Sequence, residues 1–216
     1  KYFNSLLLPM KVTDYDRLLL SLRQKDAVFT FNWDLFLFDA WVRNLHVAKL
    51  PEIFFLHGNA RIGFCMDHLC WGRLGASCRK CNQSFAMVPL LYPTDTKDYA
   101  KNAHAYTRYA WDCAKFFFEN ALSITIFGYG APMSDKEAVA LLRTAWFRQS
   151  TRMMEHIEVI DIEKQDAVIE RWERFNPTGH CSVISNLRSS RLSHWPRRTC
   201  EALLYSMTLE LSYESF

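Results

Sequence analysis

Glycine is scarce in this chain, at 7 of 216 residues, and the first of the seven is Gly58. A nucleotide-binding α/β domain ordinarily opens with a strand and a glycine-rich turn, because glycine lets the backbone close around a diphosphate. Residues 1–57 hold no such cradle, and the start at Lys1 rather than Met gives the expectation of a fragment that lacks its first βα unit. A charge bias is lacking too: 26 Lys and Arg against 23 Asp and Glu leave a net charge of +3. That is too weak to argue for a nucleic-acid or anionic-membrane partner. No window approaches the run of about eighteen apolar residues that spans a bilayer, and no basic segment with a small-residue cleavage site opens the chain. The expected location is cytoplasmic. An odd cysteine count, 7, argues against a disulfide framework in a chain without a secretion signal.

What is present is an ordinary globular composition, 50% hydrophobic, enough for one core with a small satellite module. Apolar runs at Ala27–Phe31, Glu52–Leu56, Ser123–Phe127 and Ile157–Ile162 read as strands. Helical spacing appears over Thr13–Arg23, Leu35–Arg43, Lys97–Ala121, Ser134–Arg148 and Gln165–Phe175, and again over Arg198–Leu211. Ser134 followed by Glu137 has the pattern of a capping box. Strands alternating with helices predict an α/β fold, a parallel sheet with helices on both faces. The expected organisation is a nucleotide-binding domain over residues 1–176, an insert at about 61–93, and a helical extension over 177–216.

Two strand ends carry polar residues: Thr30-Phe31-Asn32-Trp33-Asp34 and Leu56-His57-Gly58. In open α/β sheets ligands bind at the carboxyl ends of the strands, so Asn32, Asp34 and His57 are expected to face one crevice. Taken alone, Asn-Trp-Asp after a strand also fits an Asx turn or a helix N-cap, and Asp34 can serve as both cap and site residue. Between Cys65 and Cys81 lie four cysteines and His68. Cys78-x2-Cys81 has the spacing of a zinc knuckle, and Cys65-x4-Cys70 with His68 offers the other half. Tetrahedral zinc takes four of these five; the four cysteines are favoured, with His68 in place of Cys70 left open. Two incidental pairs of buried thiols are the plainer alternative, and Cys113, Cys181 and Cys200 read as core thiols. Farther on, Ile124–Phe127 leads into Gly128-Tyr129-Gly130 and then Asp135, and Val159-Ile160 leads into Asp161.

In this order, Thr-x-Asn-x-Asp, His-Gly, a cysteine cluster and strand-Gly-Tyr resemble the sirtuin (SIR2) superfamily over about Ala27 to Asp161, and in detail its NAD-hydrolysing branch. The resemblance implies a Rossmann-like SIR2 fold with a structural zinc module and NAD+ as substrate. It implies catalytic roles for Asn32 (water or ribose hydroxyls), Asp34 (the nicotinamide amide) and His57 (general base). It implies cofactor contacts from Thr30, Gly128, Tyr129, Gly130, Asp135 and Asp161. Gly130 stands where the family usually has Ser, and Asp161 where it usually has Asn. Deacetylating sirtuins follow the last zinc cysteine with a Phe-Gly-Glu segment that pairs with peptide; here the chain reads Met87-Val88-Pro89-Leu90-Leu91, which favours water as the acceptor. The implied activity is an NAD+ glycohydrolase (NADase) of the antiviral-defence type, acting as a homo-oligomer or within a larger defence complex. The rivals are an NAD-dependent protein deacylase and a non-catalytic nucleotide-sensing or assembly subunit.

Overall fold

The computed structural model describes residues 6–91, 104–148, 156–172 and 181–205. Its first half is a parallel strand pair with a helix on either side in sequence. Helix α1 (Asp14–Ser21) leads into β1 (Ala27–Thr30); α2 (Phe36–Asn44) then crosses over to β2 (Glu52–Phe55). The strands pair in parallel from Ala27↔Glu52 to Thr30↔Phe55, within one residue of the expected spans. Parallel neighbours require such a crossover, and α2 buries Leu37, Phe38 and Ala40 in doing so. A capping box starts α1: Thr13 Oγ1 accepts from the Asp16 amide, and the Asp16 side chain accepts from the Thr13 amide. Asp16 also accepts from Arg43 Nε at 3.0 Å and from Asn44 Nδ2 at 2.7 Å, which clamps α1 to α2. Burial works against this carboxylate, but the hydrogen bonds from Arg43, Thr13 and Asn44 prevail and bring its pKa down to about 2.

The insert is not a loop cluster, as its lack of period suggests, but a small antiparallel sheet. Strand β3 (Ile62–Cys65) pairs with β4 (Cys70–Arg73) on one edge and with β5 (Ala86–Met87) on the other. Strands of two to four residues are too short to show alternation, which is why the pattern hid them. β3 is buried throughout, β4 is half-buried except at Arg73, and β5 is exposed. Trp71 docks the module: its ring lies 5.1 Å from Trp41, 5.9 Å from Phe38 and 6.1 Å from Phe55.

The second half is a three-stranded parallel sheet of order β6 (Ser123–Phe127), β7 (His156–Ile160), β8 (Cys181–Ile184). Helix α3 (Ala105–Asn120) precedes it, with α4 (Lys136–Trp146) and α5 (Gln165–Trp172) in the connections. Of the helices expected over 97–121, 165–175 and 198–211, residues 97–103, 173–175 and 206–211 lie outside the described residues. Strand β8 falls where the sequence gives only a helical extension; after it come α6 (Arg191–His194) and a helix through 199–205. The expected capping box of α4 does not form. Residues Met133–Asp135 make a 3-10 turn, the N-cap is Asp135 rather than Ser134, and it makes no side-chain cap bond, because its carboxylate is turned toward His57 and Tyr129.

Strands β1 and β6 belong to separate sheets. Every residue of β1 is half-buried, as are the first four of β6, whereas β7 is buried along its whole length. Helix α3 packs on β1 and β2, with Phe117 5.7 Å from Phe29, and beyond the strand ends Phe31 stacks on Tyr129 with ring centroids 4.3 Å apart. Among the described residues no helix is long and apolar enough to cross a membrane.

Candidate functional site

His57 sits one residue beyond the Leu56 that extends β2, and its place is set by backbone capture on both sides. Tyr106 Oη accepts from the Phe55 amide at 2.9 Å, Trp111 Nε1 donates to the Leu56 carbonyl at 3.2 Å, and the Leu91 amide donates to the His57 carbonyl at 2.9 Å. Gly58 follows with φ +76°, and a Cβ there would meet the Pro89 carbonyl oxygen at 2.2 Å. Glycine is needed here for the close approach of the return chain. Next to it, buried Asn59 accepts from the Arg61 amide at 3.0 Å and donates to the Asp34 carbonyl at 2.8 Å, tying the two functional loops together.

A cavity of about 270 Å³ opens at the carboxyl ends of β1, β2 and β6, lined by Phe31, Asn32, Trp33, His57, Tyr129, Pro132, Ser134 and Asp135. Its size is near the lower end of small-molecule sites, roughly 300–1,000 Å³. Asn32 is exposed at its mouth, while His57 and Asp135 are buried in its wall. His57 Nε2 lies 3.9 Å from Asp135 Oδ1, and Tyr129 Oη donates to Asp135 Oδ2 at 3.1 Å. The Phe31 ring meets the imidazole edge-on at 4.8 Å. Neither Phe31 nor Trp33 belongs to a motif; the alternation of aromatic and polar residues through Phe31-Asn32-Trp33-Asp34 is the signal that could have found them.

Other expected residues stand elsewhere. Asp34 is not in the cavity wall: its Oδ1 accepts from the Phe36 amide at 3.0 Å, which starts α2. Burial raises its pKa, with that amide pulling the other way. Thr30 Oγ1 accepts from the Asn32 amide at 3.1 Å and so shapes the loop. Gly128 adopts φ +60° and Gly130 lies open on the loop that carries Tyr129. Asp161 borders a second cavity of about 410 Å³ at the ends of β7 and β8, with Glu163, Gln165, Ser185 and Ser189. Its Oδ1 accepts from the Glu163 amide at 3.0 Å, and its Oδ2 lies 3.7 Å from Arg171 Nη1.

In the insert, the ligating atoms of Cys65, His68, Cys78 and Cys81 lie within 4.8 Å of one another and could hold a metal ion. Cys65 Sγ is 3.7 Å from Cys81 Sγ, and His68 Nδ1 is 3.6 Å from the sulfurs of both Cys65 and Cys78. A tetrahedron with metal–sulfur bonds of about 2.3 Å has edges of ~3.5–3.8 Å, so these separations fit. Backbone N–H groups of Cys81 and Lys80 directed at Cys78 bring its thiol down to about 6, which favours the thiolate a metal binds. Cys70, the expected fourth cysteine, stands outside the converging set, 3.6 Å from Cys78 Sγ, and burial pushes its thiol up to about 11. The four converging atoms are those of Cys65, His68, Cys78 and Cys81, and Cys70 stands next to them at a separation from Cys78 that also fits a tetrahedron edge.

Fold and site together define an α/β protein with parallel sheets flanked by helices, a polar crevice at the strand ends and an inserted module whose cysteines and histidine could hold a metal ion. No family model matches the chain, and no curated protein matches it. Among solved structures it is similar to a Sir2 homologue, a point mutant in complex with ADP-ribose. That likeness has 14% identity over 88% of this chain and 67% of the other, with a TM-score of 0.45. It is also similar to a SIR2 in complex with the inhibitor EX-527, 2'-O-acetyl-ADP-ribose and a deacetylated peptide. There the identity is 15% over 89% of this chain and 72% of the other, with a TM-score of 0.41.

Proposed function

We propose that the protein is an NAD+ glycohydrolase, cleaving NAD+ to nicotinamide and ADP-ribose. The observation that carries the reading is the convergence of Asn32, His57 and Asp135 on one cavity at the carboxyl ends of β1, β2 and β6. NAD+ brings its own leaving group, so an enzyme has to supply little beyond a shaped pocket, a hydrogen-bonding side chain and a base. The nicotinamide riboside half takes the cavity beside His57, and the adenosine half lies toward the second cavity, where Asp161 accepts from ribose hydroxyls. As the bond between C1' and the nicotinamide nitrogen breaks, its electron pair neutralises the pyridinium. Water held by Asn32 adds to C1', and His57 takes its proton and passes it to solvent. Phe31, Trp33 and Tyr129 give the pocket apolar walls. Asp34, with its carboxylate on α2, contributes by fixing the Asn32 loop.

The metal of the insert is zinc in this reading, held by Cys65, His68, Cys78 and Cys81, and its contribution is structural, holding together a lobe of short strands with little core of its own. Sustained turnover depletes NAD+, which is the action of an antiviral effector; that role and membership of an oligomeric complex belong to the proposal. The test is nicotinamide release from NAD+ with and without an acyl-lysine peptide. Release without peptide is expected. Release only when peptide is added identifies a deacylase, and none under either condition removes the enzymatic reading.

A further inference from the structure

Asp135 occupies the N-cap position of α4 yet makes no side-chain cap bond. An aspartate at an N-cap normally accepts from the amides of the first turn. Its carboxylate instead faces His57 Nε2 at 3.9 Å and accepts from Tyr129 Oη at 3.1 Å and from Ser134 Oγ at 3.4 Å. Both side chains are almost wholly inaccessible, at 7% for His57 and 6% for Asp135. A carboxylate taken this far from water needs a cationic or hydrogen-bonding partner, and a local rule broken at a buried pair is the pattern of a working site.

We propose that Asp135 is the positioning residue of His57, holding the imidazole against the cavity and favouring its protonated form. The assignment of a reaction to the pair rests on the NAD+ reading above; the pair itself does not. A carboxylate beside Nε2 keeps the ring proton there and leaves Nδ1 as the acceptor for water or a ribose hydroxyl. It also stabilises the imidazolium formed once that proton has moved. A separation of 3.9 Å is that of an ion pair rather than a short hydrogen bond, and such contacts commonly tighten when substrate binds. Among the described residues, Asp135, from the turn before α4, faces the imidazole, and Tyr129, from the loop after β6, donates to that carboxylate. Phe31 and the Leu91 backbone, which also pack on His57, carry no charge. Tyr129 fixes the carboxylate in turn, so the order of support runs Tyr129, Asp135, His57.

The experiment is an NMR titration of the His57 imidazole in the wild-type chain and in Asp135→Asn, an isosteric change, with Tyr129→Phe as the variant that removes the hydroxyl and keeps the charge. Asp135→Asn is expected to lower the proton affinity of His57 about tenfold or more and to move the acidic limb of the NAD+-cleavage profile the same way. Tyr129→Phe is expected to leave the affinity at or above its wild-type value, since the negative charge stays and is no longer shared with the phenol. An unchanged His57 titration in Asp135→Asn overturns the proposal, whether or not the melting temperature falls. If NAD+ is not cleaved but the titration shifts, the pair stands and the glycohydrolase reading fails. If NAD+ is cleaved and the titration does not shift, the reading stands and the pair fails.

Discussion

The strand-end crevice and the inserted module both gather polar side chains on short loops, but in opposite ways. In the module four ligating atoms close to within 4.8 Å and leave room for an ion only. In the crevice Asn32, His57 and Asp135 stand around an open volume of about 270 Å³. Donors that converge on a point suit a metal, and donors that surround a void suit a molecule. The supports differ accordingly. His57 is held by α3 and the β2 end, through Tyr106 and Trp111, whereas the outer strands of the module pair only with short β3. Substitutions in the crevice should therefore disturb turnover while the fold survives, and substitutions in the module should disturb metal and fold together.

The sharpest form of this contrast is His57→Ala, which removes the proposed base from a site fixed by other residues. Its kcat should fall by roughly 10²–10⁴-fold, the usual range for a general base, with a melting temperature near that of wild type. A large loss of thermal stability in that variant would erase the contrast. Cys78→Ser should do the reverse: metal measured by elemental analysis falls from about one ion per chain toward none, and the melting temperature drops by several degrees. Metal retained in Cys78→Ser, or absent from wild type, breaks the account of the module.

A smaller effect is expected at the second cavity. If Asp161 holds the adenosine ribose as proposed, Asp161→Ala removes charge-assisted hydrogen bonds worth about 1.5–3 kcal/mol, so KM for NAD+ should rise about tenfold or more with kcat nearly unchanged. A lower melting temperature with KM untouched would leave Asp161 as the cap of its own turn, the role its bond to the Glu163 amide already gives it. The smallest effect is expected at the clamp between α1 and α2. Asp16, held at about 2 by Arg43, Thr13 and Asn44, stabilises the fold above its unfolded pKa of about 4. That contribution is lost as pH falls through about 2, so Asp16→Asn should destabilise at neutral pH and converge on wild type in strong acid, as read by urea denaturation.

Much of the frame was legible in the sequence because it rests on apolar runs of four or five residues next to amphipathic helices. Strands β1, β2 and β6 fall within one residue of their apolar runs, and β7 is close. The strands of the insert were not legible, being shorter than any period, and β8 was hidden because Cys181-Ser182-Val183-Ile184 is brief and half-buried. The N-terminus of α4 misled for a physical reason: Ser134 and Glu137 carry the capping-box spacing, but the pull of His57 and Tyr129 on Asp135 reshapes the turn. His57 and Asn32 could be placed in one crevice from strand ends alone. That Asp34 turns to α2 while Asp135 turns to His57 depends on burial and on contacts remote in sequence, which no spacing encodes.

The most direct measurement is the quantification of nicotinamide and ADP-ribose after NAD+ is incubated with the purified chain and with its Asn32→Ala variant. The account predicts the two products in equal amounts from wild type and little of either from the variant, with NAD+ consumed in step. Intact NAD+ after prolonged incubation with wild type, or equal product from a well-folded Asn32→Ala, would contradict it.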